Sequence, residues 1–205
     1  MGSKFNSEQT MEIEGGALDG SSKSEERTYL CIDLKSFYAS VECAARGLDP
    51  FTTNLVVADP TRNANTICLA ITPALKARGV KNRCRLGDIP DGIEFTCAMP
   101  RMSRYMEVSA NIVGAYQRYV SPDDMHVYSI DEAFIDATPY LRLYDMDAES
   151  FARALMDAAF ECAGVTATAG IGPNLLMAKV ALDVCAKHAP DGIGVLDDDS
   201  WKREI

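Results

Sequence analysis

Met125-His126-Val127-Tyr128-Ser129-Ile130-Asp131-Glu132-Ala133-Phe134-Ile135-Asp136-Ala137 sets two short extended runs back to back, residues 125–130 and 133–137. Their junction is Asp131-Glu132, so two carboxylates sit at or beside a hairpin turn. Before the hairpin, Met102, Tyr105, Met106, Ser109, Ile112, Val113, Tyr116 and Val120 recur at three- and four-residue steps, one apolar face of a long helix. After it, Phe151, Ala154, Leu155, Ala158, Ala159 and Cys162 mark a second such helix. Residues 166–171 then read as a strand, Asn174 caps a helix to about Ala186, and residues 192–196 resume extended structure.

Tyr29-Leu30-Cys31-Ile32 is a buried strand that ends on Asp33. Ser36 is placed to cap a helix from Phe37 to about Arg46, with Gly47 closing it. With residues 38–100 set aside as an insertion, the order is strand, helix, strand, strand, helix, strand. That order is the split βαβ of a ferredoxin-like sheet, an α+β fold with one face under two helices and the other free as a floor. The insertion reads as a small α/β subdomain. Its strands are expected over residues 54–58, 66–70 and 94–98, and its helix is opened by Thr72-Pro73 and ended by Gly79.

The 205 residues are 47% hydrophobic and 24% charged, an ordinary globular balance. Residues 1–27, rich in Ser, Gly and Glu, read as a disordered tail. No apolar run of about 18 residues is present to span a membrane, and no apolar segment of secretory type follows the first basic residue, so a cytoplasmic protein is expected. The seven cysteines are scattered without a C-x-x-C pair, and neither His126 nor His188 has a neighbour at metal-ligand spacing. The thiols are expected to be reduced and packed as small hydrophobes, and both histidines to be structural. The net charge of −10 speaks against nucleic acid as a partner unless another domain supplies the grip. Six acids and three bases in residues 1–27 account for −3 of it.

In the split βαβ order the first strand neighbours the hairpin, so Asp33, Asp131 and Glu132 are expected to converge at one end of the sheet. Clustered carboxylates repel unless cations lie among them, and hard oxygen ligands suit Mg²⁺. Two such ions are the standard device for phosphoryl transfer. Ser36, Phe37 and Tyr38 begin a helix beside the acids, where free backbone N–H groups bind phosphate oxygens. Lys76 in the insertion and Lys179 on the last helix are the cations best placed for a triphosphate.

Three segments carry a resemblance. Asp33-Leu34-Lys35-Ser36-Phe37-Tyr38-Ala39-Ser40-Val41-Glu42, Ser129-Ile130-Asp131-Glu132-Ala133-Phe134-Ile135-Asp136, and Thr168-Ala169-Gly170-Ile171-Gly172-Pro173-Asn174 with Met177-Ala178-Lys179 resemble, in order, the three signatures of Y-family translesion DNA polymerases. The resemblance covers about residues 28–196. It implies a palm (28–37 and 101–196), a fingers insertion (38–100) and the start of a thumb (197–205). It also implies two Mg²⁺ ions held by Asp33, Asp131, Glu132 and the backbone carbonyl of Leu34. Tyr38 matches the steric-gate aromatic that rejects a 2′-hydroxyl, and Lys179 the palm lysine on the triphosphate. Where many relatives place Thr, Tyr and Arg on the triphosphate, this chain has Ala70, Pro73 and Lys76, which resembles the UmuC-type branch.

The implied activity is template-directed deoxynucleotidyl transfer in DNA damage tolerance, of the kind belonging to an SOS response. Primer–template DNA and dNTP are the implied partners, with a sliding clamp or other repair proteins engaged through C-terminal parts beyond this chain. Without thumb and little finger, the chain is expected to bind primer–template weakly and to show no processive synthesis. The alternative is a catalytically silent polymerase-like scaffold in a repair complex. A haloacid-dehalogenase-type phosphatase needs an acid where Lys35 stands, and a nucleotidyl cyclase would lack the helix after Asp33 and the insertion.

Overall fold

The computed structural model describes residues 27–204, so the tail expected at residues 1–27 lies, except for Arg27, outside the described residues. Strand β1 (Tyr29–Leu34) is the centre of a five-stranded sheet. Helix α1 (Phe37–Ala44) follows it directly. A three-stranded sheet comes next, with β2 (Leu55–Val57) between β3 (Ala70–Ile71) and β4 (Thr96–Ala98), and with α2 (Pro73–Ala77) after β3. The chain returns through α3 (Met102–Tyr116), β5 (Met125–Val127), β6 (Glu132–Asp136), α4 (Thr138–Tyr144), α5 (Ala148–Ala163) and β7 (Ala167–Gly172). It ends in α6 (Leu175–Val180), β8 (Ile193–Val195) and α7 (Asp198–Glu204).

The large sheet has the order β5-β6-β1-β7-β8. β1 runs antiparallel to both β6 and β7, β5 antiparallel to β6, and β8 parallel to β7. The first four strands are the ferredoxin-like arrangement expected from the sequence, and β8 extends it at one edge. Alternation along β1 sends Leu30, Ile32 and Leu34 to one face, where they join Tyr105, Val108 and Ile112 of α3 and Phe151, Ala152 and Leu155 of α5 in a single core. Fully burying each Leu, Ile or Phe removes it from water at a gain of about 1.5–3 kcal/mol. Phe37 and Val41 of α1 and Leu55 and Val57 of β2 belong to the same core, while Val56, Ile71, Leu75 and Val80 form a second cluster on the far side of the small sheet.

Several details differ from the sequence expectation. The buried stripe of α3 runs through Tyr105, Val108, Ile112, Ala115 and Tyr116, leaving Met102 and Met106 45% and 58% exposed. The small side chain at position 115 belongs to the buried face, which a hydrophobicity pattern weighted by methionines misplaces. The strand expected at residues 66–70 is confined to Ala70–Ile71, because Thr66 and Cys68 instead exchange backbone bonds with residues 84–86. Ser36 does not cap α1 with its side chain: it sits in the left-handed region at φ 49°, and its Oγ is buried without a partner. The helix opened by Asn174, whose Oδ1 accepts the Met177 N–H at 2.9 Å, becomes a π-helical turn over Ala181–Ala186.

A further difference is the second face of the sheet, which is not free along its whole width. Cys31 and Phe134 are covered there by Ala178, Leu182 and Ala186. Gly170 makes this possible: a Cβ on it would stand 2.1 Å from the Ala178 carbonyl oxygen and 2.2 Å from the Leu182 nitrogen. All seven cysteines are free thiols, though Cys162 is exposed rather than packed, and both histidines lie at the surface. No helix among the described residues is long and apolar enough to cross a membrane.

Candidate active site

β1 and β6 bring the acids together. Asp33 is the register partner of Glu132, and the Leu34 N–H donates to the Asp131 carbonyl at 2.9 Å. All three acids therefore stand at one end of the two central strands. Among the described residues Asp33 has no cationic partner within ion-pair distance; burial first, then the charges of Asp131 and Glu132, raise its carboxyl to about 6, with Lys179 and Lys187 acting in the opposite sense.

The other two acids are held by neighbours. Asp131 Oδ1 accepts the Ser129 hydroxyl at 2.8 Å. Glu132 Oε1 accepts Lys179 Nζ at 2.8 Å and the buried Cys31 thiol at 3.2 Å. Lys179 also reaches Asp183 at 3.3 Å. Burial works against its charge, but the hydrogen bond and the charge of Glu132, with Asp183, outweigh that and hold the ammonium above the ordinary lysine value. Burial and the Glu132 contact push the Cys31 thiol up, so it serves as a neutral donor.

Among the described residues no three His, Cys, Asp or Glu side chains already form a metal cage. The donor set nonetheless suits a hard divalent cation. Its atoms are carboxylate oxygens, Asp33 is short of positive charge, and a lysine ammonium stands beside Glu132 as the cation of this arrangement.

The first turn of α1 lies next to the acids. Phe37 turns its ring into the core, leaving only its backbone N–H for a ligand, and Ser36 offers its buried, unpaired hydroxyl. Tyr38 is half-buried and stacks on Tyr105, with ring centroids 4.4 Å apart and planes at 16°. Burial, and then the charge of Asp131, raise the Tyr38 hydroxyl above its ordinary value. Lys76 is exposed, yet protein crowding lowers its ammonium somewhat, while the charge of Asp33 acts in the opposite direction.

Sequence reasoning missed the support under Tyr38. Glu42 is fully buried and accepts both Nε and an Nη of Arg101 at 2.9 Å, the Tyr105 hydroxyl at 2.9 Å, and Arg46. Although burial opposes ionisation, these donors hold its carboxyl below the usual glutamate range. The signal was a lone acid inside the apolar run Ala39-Ser40-Val41-Glu42-Cys43. Glu42→Ala strands Arg101 and the Tyr105 hydroxyl, and a loss of about 3 kcal/mol in denaturant unfolding is expected. Glu107→Ala, which removes an exposed pair with Arg104, should cost under about 0.5 kcal/mol. Equal effects would mean that the Glu42 network is no firmer than a surface pair.

Known proteins resemble the chain over most of its length. It is 37% identical over 179 residues to UvrX of Bacillus subtilis (strain 168), covering 87% of this chain and 40% of that protein. It is 35% identical over 185 residues to DNA polymerase IV 2 of the same organism, covering 88% of this chain and 43% of that protein. The chain thus spans about two fifths of the length of these curated relatives. Among solved structures, DinB from Sulfolobus solfataricus superposes with a TM-score of 0.66 at 24% identity, over 84% of this chain and 49% of that one. An insertion ternary complex of Dbh DNA polymerase gives 0.68 at 22% identity, over 84% and 49%. These two likenesses show the fold. Residues 32–183 match the impB/mucB/samB family, and with most of its described residues inside that match the chain belongs to this family of Y-family polymerase domains.

Proposed function

We propose that the chain is the catalytic palm and fingers of a translesion DNA polymerase, adding deoxynucleotides to a primer during damage tolerance with two Mg²⁺ ions as cofactors. The observation that carries this reading is the pairing of Asp33 with Glu132, beside Asp131, where Asp33 is left short of positive charge. Asp33, Asp131, Glu132 and the Leu34 carbonyl are the oxygens offered to the ions. When bound, such ions polarise the attacking and leaving oxygens of phosphoryl transfer. The residues of the chain do the rest. Ser129 orients the Asp131 carboxylate, and Cys31 orients Glu132. The first N–H groups of α1, with Lys76 and Lys179, are the donors for a triphosphate. Lys179 must turn from Glu132 and Asp183 to reach it. The Tyr38 ring, braced by Tyr105, is a flat wall for the sugar.

Primer–template DNA and dNTP are the partners this reading requires, and the relatives named as DNA polymerases support them. Lys76 in place of an arginine favours the UmuC-type branch. The presence of all three acids favours an enzyme over a silent scaffold.

Joined to the C-terminal part of UvrX, the chain should extend a primer with Mg²⁺, and Asp131→Asn should abolish extension. In that chimera Tyr38→Ala should raise ribonucleotide insertion by at least about tenfold while deoxynucleotide use stays within a few-fold, since the gate acts by excluding one hydroxyl. Extension indifferent to Asp131 would remove the polymerase reading. Unchanged sugar discrimination would remove Tyr38 from the gate.

A further inference from the structure

Three of the seven cysteines, Cys68, Cys84 and Cys97, meet in the core of the small sheet, although no spacing in the sequence joins them. The first two face one another across a short antiparallel ladder. The Cys68 N–H donates to the Cys84 carbonyl at 2.8 Å and the Leu86 N–H to the Thr66 carbonyl at 2.8 Å, with Ile67 and Arg85 bridged between these bonds. That register sets Cys68 directly opposite Cys84. Side chains alternate in direction along such a ladder. Ile67 and Arg85 are both exposed, so the two cysteines both turn inward, Cys68 fully buried and Cys84 half-buried in the same cluster.

Residues opposed at a hydrogen-bonded position of an antiparallel pair have Cα atoms about 5.5 Å apart, inside the roughly 4.4–6.8 Å that a disulfide spans. The two thiols also act on one another: burial first, then the Cys84 thiol, push the Cys68 thiol up to about 12. Cys97 is engaged elsewhere. Its thiol donates to the Ala58 carbonyl at 3.6 Å, and it stands on β4, which pairs with β2 rather than with the ladder. Arg83, just before Cys84, sits in the left-handed region at φ 57°, so the chain enters the ladder through a sharp turn.

We propose that Cys68 and Cys84 form a reversible oxidation site, closed to a disulfide by a peroxide and reopened by a dithiol. Half-buried Cys84 meets the oxidant first. Its thiolate attacks one peroxide oxygen, the O–O bond breaks, and Cys84 sulfenic acid and one water result. The Cys68 sulfur then attacks the Cys84 sulfur: the S–S bond forms, the S–O bond breaks, and the hydroxide leaves with the Cys68 proton as a second water. The two thiols give up two electrons and two protons in all, and one hydrogen peroxide takes them up. A neutral, buried thiol is a slow nucleophile, but Cys68 is held against its target and needs no chain movement to reach it. The bond closes a loop from residue 68 to residue 84 that carries β3, α2 and Lys76. Any effect on a triphosphate through Lys76 rests on the polymerase reading. The bond itself does not.

The test uses the whole 205-residue chain with Cys162→Ser, which removes the exposed thiol and leaves six of the seven. The folded chain is treated with a small molar excess of hydrogen peroxide in EDTA. It is then unfolded, its remaining thiols are blocked with N-ethylmaleimide, and a non-reducing digest is read by mass spectrometry. The blocked thiols should fall from six to four, with the Cys68 and Cys84 peptides joined and both thiols restored by dithiothreitol. Closing this loop should raise the melting midpoint by roughly 5–10 °C, an increase that dithiothreitol removes. Cys97→Ser should give the same linked pair, and Cys84→Ala should leave Cys68 reduced at the same dose. No loss of thiols, a bond that uses Cys97, or oxidation of Cys84 that stops short of a bond would each overturn the proposal. A linked product that melts below the reduced chain would also overturn it, because the bond would then form only from an opened structure. None of these outcomes bears on the metal site, which is read separately by cation titration.

Discussion

Gly170→Ala is expected to lower the stability of the chain by at least about 3 kcal/mol, at the upper end of overpacking penalties. The Cβ would meet two backbone atoms, the Ala178 carbonyl oxygen at 2.1 Å and the Leu182 nitrogen at 2.2 Å, so no rotamer change relieves the overlap. The whole segment from α6 through the π-helical turn must lift off β7, carrying Lys179 away from Glu132. Thermal unfolding followed by circular dichroism should show a midpoint lower by roughly 6–12 °C. Gly114→Ala is the matched control. Its Cβ meets nothing within 4 Å in the last turn of α3, and the better helix former should stabilise by up to about 0.5–1 kcal/mol. If Gly170→Ala lies within about 1 kcal/mol of the parent, the close approach of α6 to the sheet is not the reason for this glycine.

Asp33→Asn is expected to do the opposite, stabilising the fold while destroying its proposed chemistry. The Asp33 carboxyl is raised to about 6 in the folded chain, chiefly by burial and then by Asp131 and Glu132. An unfolded aspartate titrates near about 4. Between those values the folded state holds the extra proton, so stability falls as pH rises through this window and the penalty persists above it. Two pKa units correspond to about 3 kcal/mol. Residual contact with water reduces this to about 1–2 kcal/mol. Asparagine carries no such penalty. Above about pH 7 the variant should therefore melt roughly 2–8 °C higher than the parent, and below about pH 4 the two should coincide. A parent that is as stable as the variant at pH 8 without divalent cations would mean that Asp33 feels no crowding.

The two variants probe different depths of what the sequence makes legible. β1 and the hairpin were readable because alternation of buried residues is a local property, and the order of elements then dictates which strands are neighbours. That the strand ending on Asp33 lies beside the hairpin followed from that order alone, whereas its register against Glu132 did not. The covering of the second sheet face did not, because a glycine in a strand signals close approach without naming what approaches. The Glu42–Arg101–Tyr105 network was missed for a similar reason. Its members are 59 and 63 residues apart from Glu42, and only the folded chain makes a lone acid in an apolar helix intelligible. Met102 and Met106 misled the reading of α3, since methionine counts as core by hydropathy yet tolerates exposure. Helix α4 escaped notice because seven residues are too few for a periodic pattern.

The central claim is that Asp33, Asp131 and Glu132 together hold divalent cations. Mn²⁺, which takes the same oxygen ligands as Mg²⁺, can be counted directly by the loss of its free-ion electron paramagnetic resonance signal. In the presence of a dNTP, the parent chain should bind one more Mn²⁺ than the dNTP alone accounts for. That binding should disappear in both Asp33→Asn and Asp131→Asn. Identical titrations for the parent and the two variants would contradict it.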